Sequence, residues 1–167
     1  MKILALESSA AACSAALCED ETLIAQFFQN SGLTHSVTLL PMADDLLRRC
    51  GVGLEQVDLI AAAAGPGPFT GLRIGVSAAQ GLAWPGNKPC AACSTLESMA
   101  WSLAHMGMDI CAVMDARRNQ VYNARFLGTG DGLERLTPGR ASGLGALAEE
   151  LKNRGKPHIL VGGGAGV

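Results

Sequence analysis

The chain opens with short apolar segments at strand spacing. Residues 2–7 form an apolar run ending on the acid Glu7, Ala12–Cys18 a second run, and Thr22–Phe28 a third, with Glu19-Asp20-Glu21 as a polar turn between the last two. Three such segments joined by short connections predict an antiparallel meander. The period then changes. Leu39, Leu40, Ala43, Leu46, Leu47 and Cys50 recur at helical spacing, and Gly51 supplies a stop. Pro41 inside this pattern belongs to the first turns or kinks the helix. Val57–Ala64 is a nearly continuous apolar run, as expected of a strand buried on both faces. A Gly/Pro loop follows, then a helix from about Leu72 to Trp84 closed by Pro85-Gly86, a short strand at Pro89–Cys93, and a helix over Ser94–His105 with Ser94 or Thr95 as its N-cap.

A second lobe repeats this opening. Cys111-Ala112-Val113-Met114-Asp115 is again an apolar strand ending in an acid. The shift that carries Glu7 onto Asp115 also carries Cys13–Leu17 onto Val121–Arg125 and Thr22–Phe28 onto Gly130–Leu136. A duplicated unit of strand, acid, turn and hairpin resembles the ribonuclease-H-like fold shared by actin, Hsp70 and sugar kinases. The expectation is therefore an α/β fold of two mixed sheets, with a first lobe over 1–106 and a second over 107–167. A helix at Leu144–Asn153 and a strand at His158–Val161 continue the second copy, which stops short of the helices that follow in the first. A truncated second lobe is expected.

Composition narrows the class. The 167 residues are 49% apolar, 17% charged and only 4% aromatic, so Ala, Gly and Leu must fill the interior. The formal net charge of −2 does not announce a nucleic-acid binder, and the basic residues fall in small pairs, Arg48-Arg49 and Arg117-Arg118. The N-terminal apolar run meets Glu7 too soon for a secretory signal, and Pro66, Pro68 and Arg73 interrupt the apolar stretch over 59–86. Six cysteines without a targeting segment read as reduced thiols. These features predict a cytoplasmic protein with no membrane span.

The most specific segment is Gly65-Pro66-Gly67-Pro68-Phe69-Thr70-Gly71-Leu72-Arg73-Ile74-Gly75, between a buried strand and a helix. It resembles the GPGSFTGLRIG signature of the TsaB (YeaZ) family, with Pro68 where Ser is usual. Leu4-Ala5-Leu6-Glu7-Ser8-Ser9, His35-Ser36 with Leu39-Leu40-Pro41, and Met114-Asp115-Ala116-Arg117-Arg118 with Val121-Tyr122 resemble further parts of that family. The likeness spans roughly residues 1–125, and members of the family continue past the last residue here.

The resemblance implies a non-catalytic partner of TsaD in threonylcarbamoylation of adenosine in tRNA. The ATPase TsaE would join in cycles, and tRNA would be reached only through the complex. It further implies that two helices, through His35, Leu39, Met42, Leu46, Ile74, Ala78 and Leu82, meet two helices of TsaD. The same face could support a homodimer. The residues allow another reading, in which all of these positions serve the protein's own core. Gly71, Gly75 and Ala79 form a small-residue stripe at four-residue spacing, which lets a neighbouring helix approach closely.

The chemistry-bearing residues are sparse. Glu7 and Asp115 end corresponding strands and could face one another across a cleft, but Ser8-Ser9-Ala10-Ala11-Ala12 lacks the glycine a phosphate-hugging backbone needs. Glu7, Ser8, Ser9 and Asp115 are thus a vestigial nucleotide cleft, with weak nucleotide binding left open and no cofactor required. Gly65, Gly67 and Gly71 either close a turn or help a helix N-terminus hold an anion, with Pro66 and Pro68 removing two donors. Where TsaD carries a His-x-x-x-His metal helix, this chain has Thr95-Leu96-Glu97-Ser98-Met99, and its three histidines lack ligand spacing. Neither a metal nor the older glycoprotease activity is expected. Cys90-Ala91-Ala92-Cys93 is a redox pair, a metal half-site or a pair of buried thiols. An ATP-dependent phosphotransferase using Glu7 and Asp115 stands as the alternative.

Overall fold

The computed structural model describes residues 1–165. The chain divides into two compact units, Met1–Cys93 and Ser94–Val167. In the first, β1 (Lys2–Glu7), β2 (Cys13–Glu19) and β3 (Thr22–Gln29) form the expected meander, with Leu4 opposite Leu17 and Cys13 opposite Gln29. The chain then crosses over through helix α1 (His35–Arg49) and returns as β4 (Leu59–Gly65), parallel to β1. A parallel return needs such a crossover, since a tight turn can join only antiparallel neighbours. After helix α2 (Phe69–Ala83), β5 (Cys90–Ser94) completes a sheet of order β3-β2-β1-β4-β5. This is the ribonuclease-H-like arrangement of the actin/Hsp70 class. Ile60–Ala63 at the sheet centre are all buried, as their unbroken apolar run requires. Leu4, Leu6, Leu17 and Ile60 pack with Leu39 and Leu46 of α1 and Ala78 and Ala79 of α2 in one core.

Both helices begin before their apolar periodicity does. The helix α2 starts at Phe69, three residues ahead of the expected Leu72, because Phe69 and Thr70 are exposed and carry no core-facing mark. Pro41 lies on the exposed side of the second turn of α1. At the other end Arg48 and Arg49 face Asp45, Arg48 also reaching Asp44, and their charge complements the carbonyl end of the helix.

The second unit is built on β6 (Asp109–Arg117) and β7 (Gln120–Gly128), an antiparallel pair. To it are added β8 (Leu133–Arg135), β9 (Arg140–Gly143) and β10 (His158–Val161), the last parallel to β6. One face of this sheet, with Ile110, Ala112, Met114, Ala124 and Phe126, is covered by Leu96 and Ala100 of helix α3 (Thr95–Trp101). The other, with Cys111, Val113 and Val121, packs against Leu147 and Leu151 of helix α4 (Leu144–Asn153).

Two sequence expectations change here. The helix beginning at Ser94 was expected in a first lobe reaching residue 106. Its apolar side instead fits under the second sheet, so the division falls between Cys93 and Ser94. That helix also ends at Trp101 rather than His105, since Leu103 leaves helical geometry and Gly107 is left-handed. The Ser94 hydroxyl accepts a bond from the Glu97 N–H at 3.4 Å, the N-cap its residue type predicts.

The candidate partner-binding surface and the loop beneath it

The loop after β1 is locked under α2. Ser8 and Ser9 are 2% and 1% exposed. The Ser8 hydroxyl donates to the Gly71 carbonyl at 2.9 Å, and the Ser9 N–H donates to the Glu7 carboxylate. Gly71 and Gly75 are the reason α2 can sit this close. A Cβ at Gly71 would run into the Ser8 carbonyl oxygen, and one at Gly75 into the Ser8 hydroxyl. The small-residue stripe, expected to admit a neighbouring helix, therefore admits the β1–β2 loop. His35, at the start of α1, ties down the same loop from the other side: its Nε2 lies 2.8 Å from the Ala10 carbonyl oxygen, which fixes Nε2–H as the donor.

The signature segment leads from β4 into α2. Gly65 has φ of 120°, a conformation that favours glycine, and the Gly65–Pro66 bond is cis. Gly67 follows, and Pro68 precedes the first turn of α2 with its carbonyl accepting from the Leu72 N–H at 3.1 Å. Phe69 is 72% exposed, and the Arg73 guanidinium lies 5.2 Å from its ring centre.

Between α1 and α2 lies an open groove of about 530 Å³. Its lining from α1 is His35, Ser36, Leu39 and Leu40, and from α2 it is Phe69, Thr70, Arg73, Ile74, Ser77 and Ala78. Of the contacts expected from sequence, His35, Leu39, Ile74 and Ala78 reach this groove, whereas Met42, Leu46 and Leu82 do not line it. Leu46 is fully buried, Leu39 is 1% exposed and Met42 belongs to the core. The sequence shows that α1 is apolar on more than one side but not which side the sheet takes. Leu40, 45% exposed, is the side chain that sequence reasoning left without this role, although its apolar character beside the inward stripe was the available signal.

The other candidates fall in different units. Glu7 ends β1 of the first unit. Asp115 lies in β6 of the second, and its Oδ1 accepts the Arg117 N–H at 2.6 Å. The β6–β7 turn is a tight hairpin with Arg117, Arg118 and Asn119 all left-handed, unlike the longer loop after Glu7. Cys90 and Cys93 are exposed, not buried, and lie three apart on β5. Side chains three apart on a strand point to opposite faces, so the pair does not form a Cys-x-x-Cys centre. Burial pushes the Cys111 thiol up to about 11, which keeps it protonated and unreactive. Among the described residues no three His, Cys, Asp or Glu side chains gather as a metal site, and no helix is long and apolar enough to cross a membrane.

Comparison with known proteins places these features. Residues 29–160 match the family model described as TsaD, tRNA N6-adenosine threonylcarbamoyltransferase. The tRNA threonylcarbamoyladenosine biosynthesis protein TsaB of Bacillus subtilis is 35% identical over 97% of this chain and 71% of its own length. The chain belongs to the TsaB (YeaZ) family. TsaB of Haemophilus influenzae is 41% identical over 73% of this chain, and the match spans 52% of that relative. YeaZ from Pseudomonas aeruginosa superposes with a TM-score of 0.76 at 33% identity, covering 84% of this chain and 66% of that one.

Proposed function

We propose that this TsaB-family chain is a non-catalytic subunit that docks a TsaD homologue through the α1–α2 groove, in the pathway that forms threonylcarbamoyladenosine in tRNA. The observation that carries the reading is the groove itself: exposed apolar side chains, Leu40 and Phe69 foremost, on two helices whose inner faces are already committed to the core. Helix pairs that keep an apolar outer face after folding gain by covering it with another helix pair. The match of residues 29–160 to the TsaD model suggests that the partner presents a related pair of helices.

The loop geometry supports a subunit without its own chemistry. In the glycine-free loop after β1, Ser8 and Ser9 are buried and α2 lies against the Ser8 backbone, where a bound phosphate would need open N–H groups. Both candidate acids, Glu7 and Asp115, accept N–H groups of their own turns. A TsaE homologue would join the assembled complex, tRNA would be held mainly by the partner, and a homodimer through the same two helices would compete with the heteromer. The site of action would be the cytoplasm, where tRNA is modified.

The test is transfer of threonylcarbamoyl to tRNA by this chain alone, by the TsaD homologue alone, and by both with the TsaE homologue. Activity is expected only where the TsaD homologue is present, and is raised by this chain. Transfer by a sample of this chain proven free of TsaD would overturn the reading. Tight magnesium-dependent ATP binding by the isolated chain would favour the phosphotransferase instead.

A further inference from the structure

Among the described residues, six of the nine arginines pair with the protein's own carboxylates, and Arg73, Arg117 and Arg118 do not. Arg48 and Arg49 pair with Asp45, Arg125 and Arg154 with Asp109, Arg135 with Glu97 and Arg140 with Glu150. Arg73 has no carboxylate within ion-pair distance among the described residues, yet it lines the α1–α2 groove, whose other lining residues carry no acid. On α1, Asp44 lies one turn beyond Leu40 in sequence and faces Arg48 at 3.7 Å. Phe69 holds the Arg73 guanidinium over its ring, so the planar fork is partly fixed in direction rather than free in solvent.

A partner covering the groove with apolar side chains alone would strip water from that guanidinium and leave it without a counter-charge, which opposes docking. A partner with a suitably placed Asp or Glu converts that cost into a charge-assisted, bidentate contact. Resting on the docking reading above, we propose that the groove selects a helical partner whose apolar face carries one carboxylate, seated against Arg73. A second copy of this chain fits less well. In an isologous contact the same patch faces itself, and that patch offers two guanidiniums and no acid. Arg73 is thus a specificity device, favouring the heteromer over self-association.

The test is the affinity of the full chain for the TsaD homologue of the same organism, measured at low and high salt for the parent, Arg73→Gln, Arg73→Glu and Leu40→Glu. Arg73→Gln is expected to weaken binding roughly 10- to 100-fold and to flatten its salt dependence. Arg73→Glu should weaken it further, and a lysine in place of the facing carboxylate on the partner should restore it. Because Arg73 is exposed, thermal unfolding of its variants should match the parent. If Leu40→Glu abolishes binding while both Arg73 variants stay within about twofold of the parent, the carboxylate proposal is overturned and the docking reading stands. If Leu40→Glu is also without effect, the docking reading fails and the proposal with it. A homodimer lost on Arg73→Glu, with unchanged affinity for the TsaD homologue, overturns the proposal as well.

Discussion

Gly71→Ala is expected to destabilise the first unit by about 2 kcal/mol net, and removing the Ser8 side chain should not restore it. The added methyl meets the Ser8 carbonyl oxygen, which belongs to the backbone of a buried loop and cannot rotate away. Overpacking of this kind costs roughly 1–3 kcal/mol or more, against a gain of about 1 kcal/mol for Ala over Gly within a helix. Gly75→Ala behaves differently. Its methyl meets the Ser8 hydroxyl, while Ser8 Cβ stays 3.7 Å away. Ser8→Ala alone should cost about 1 kcal/mol by losing its buried bond to the Gly71 carbonyl. Combined with Gly75→Ala it should return close to the parent, a coupling on the order of 1–2 kcal/mol. Urea unfolding of the three single variants, and of each glycine variant combined with Ser8→Ala, reads this directly. Equal rescue of both glycine variants by Ser8→Ala would show that α2 slides over the loop rather than abutting it.

Asp109→Ala is expected to cost the second unit about 3 kcal/mol, because it leaves Arg125 charged and buried. The Arg125 side chain is 4% exposed and lies on the α4 face of the sheet, its Nη2 3.0 Å from the Asp109 carboxylate. Arg154 approaches the same carboxylate at 3.9 Å, so removing it sets two guanidiniums together without a counter-charge. Replacing both partners, as in Asp109→Asn with Arg125→Met, should recover most of the loss, since the desolvation cost of the charges disappears with them. Thermal unfolding distinguishes the cases: a double variant no more stable than Asp109→Ala would mean that Arg125 stabilises through packing and not through its charge.

Much of this architecture was legible before the structure. The meander, the buried β4 run, the α4 stripe and the repeated strand ending in Asp115 follow from periodicity, which reports burial directly. What periodicity does not mark was missed. The strand β9 is four residues long and largely exposed, so it carries no apolar signal and exists through its ladder to β7. The first turn of α2 is exposed for the same reason. The assignment of α3 depended on which sheet Leu96 and Ala100 would find, a tertiary choice that a short amphipathic segment leaves open. The glycine stripe announces a close approach but not its occupant, which in the structure is Ser8. On α1, Leu39 and Leu46 read as well for a partner as for a core; both are buried in the core, and of the two only Leu39 also lines the groove, beside the exposed Leu40.

The central claim is that the α1–α2 groove docks a TsaD homologue. Light scattering on the eluate of a size-exclusion column tests it most directly, with this chain mixed with the TsaD homologue of its own organism. The account predicts a stable one-to-one complex that Leu40→Glu dissociates while leaving the chain folded. Separate elution of the two folded proteins, or a complex indifferent to Leu40→Glu, would contradict it.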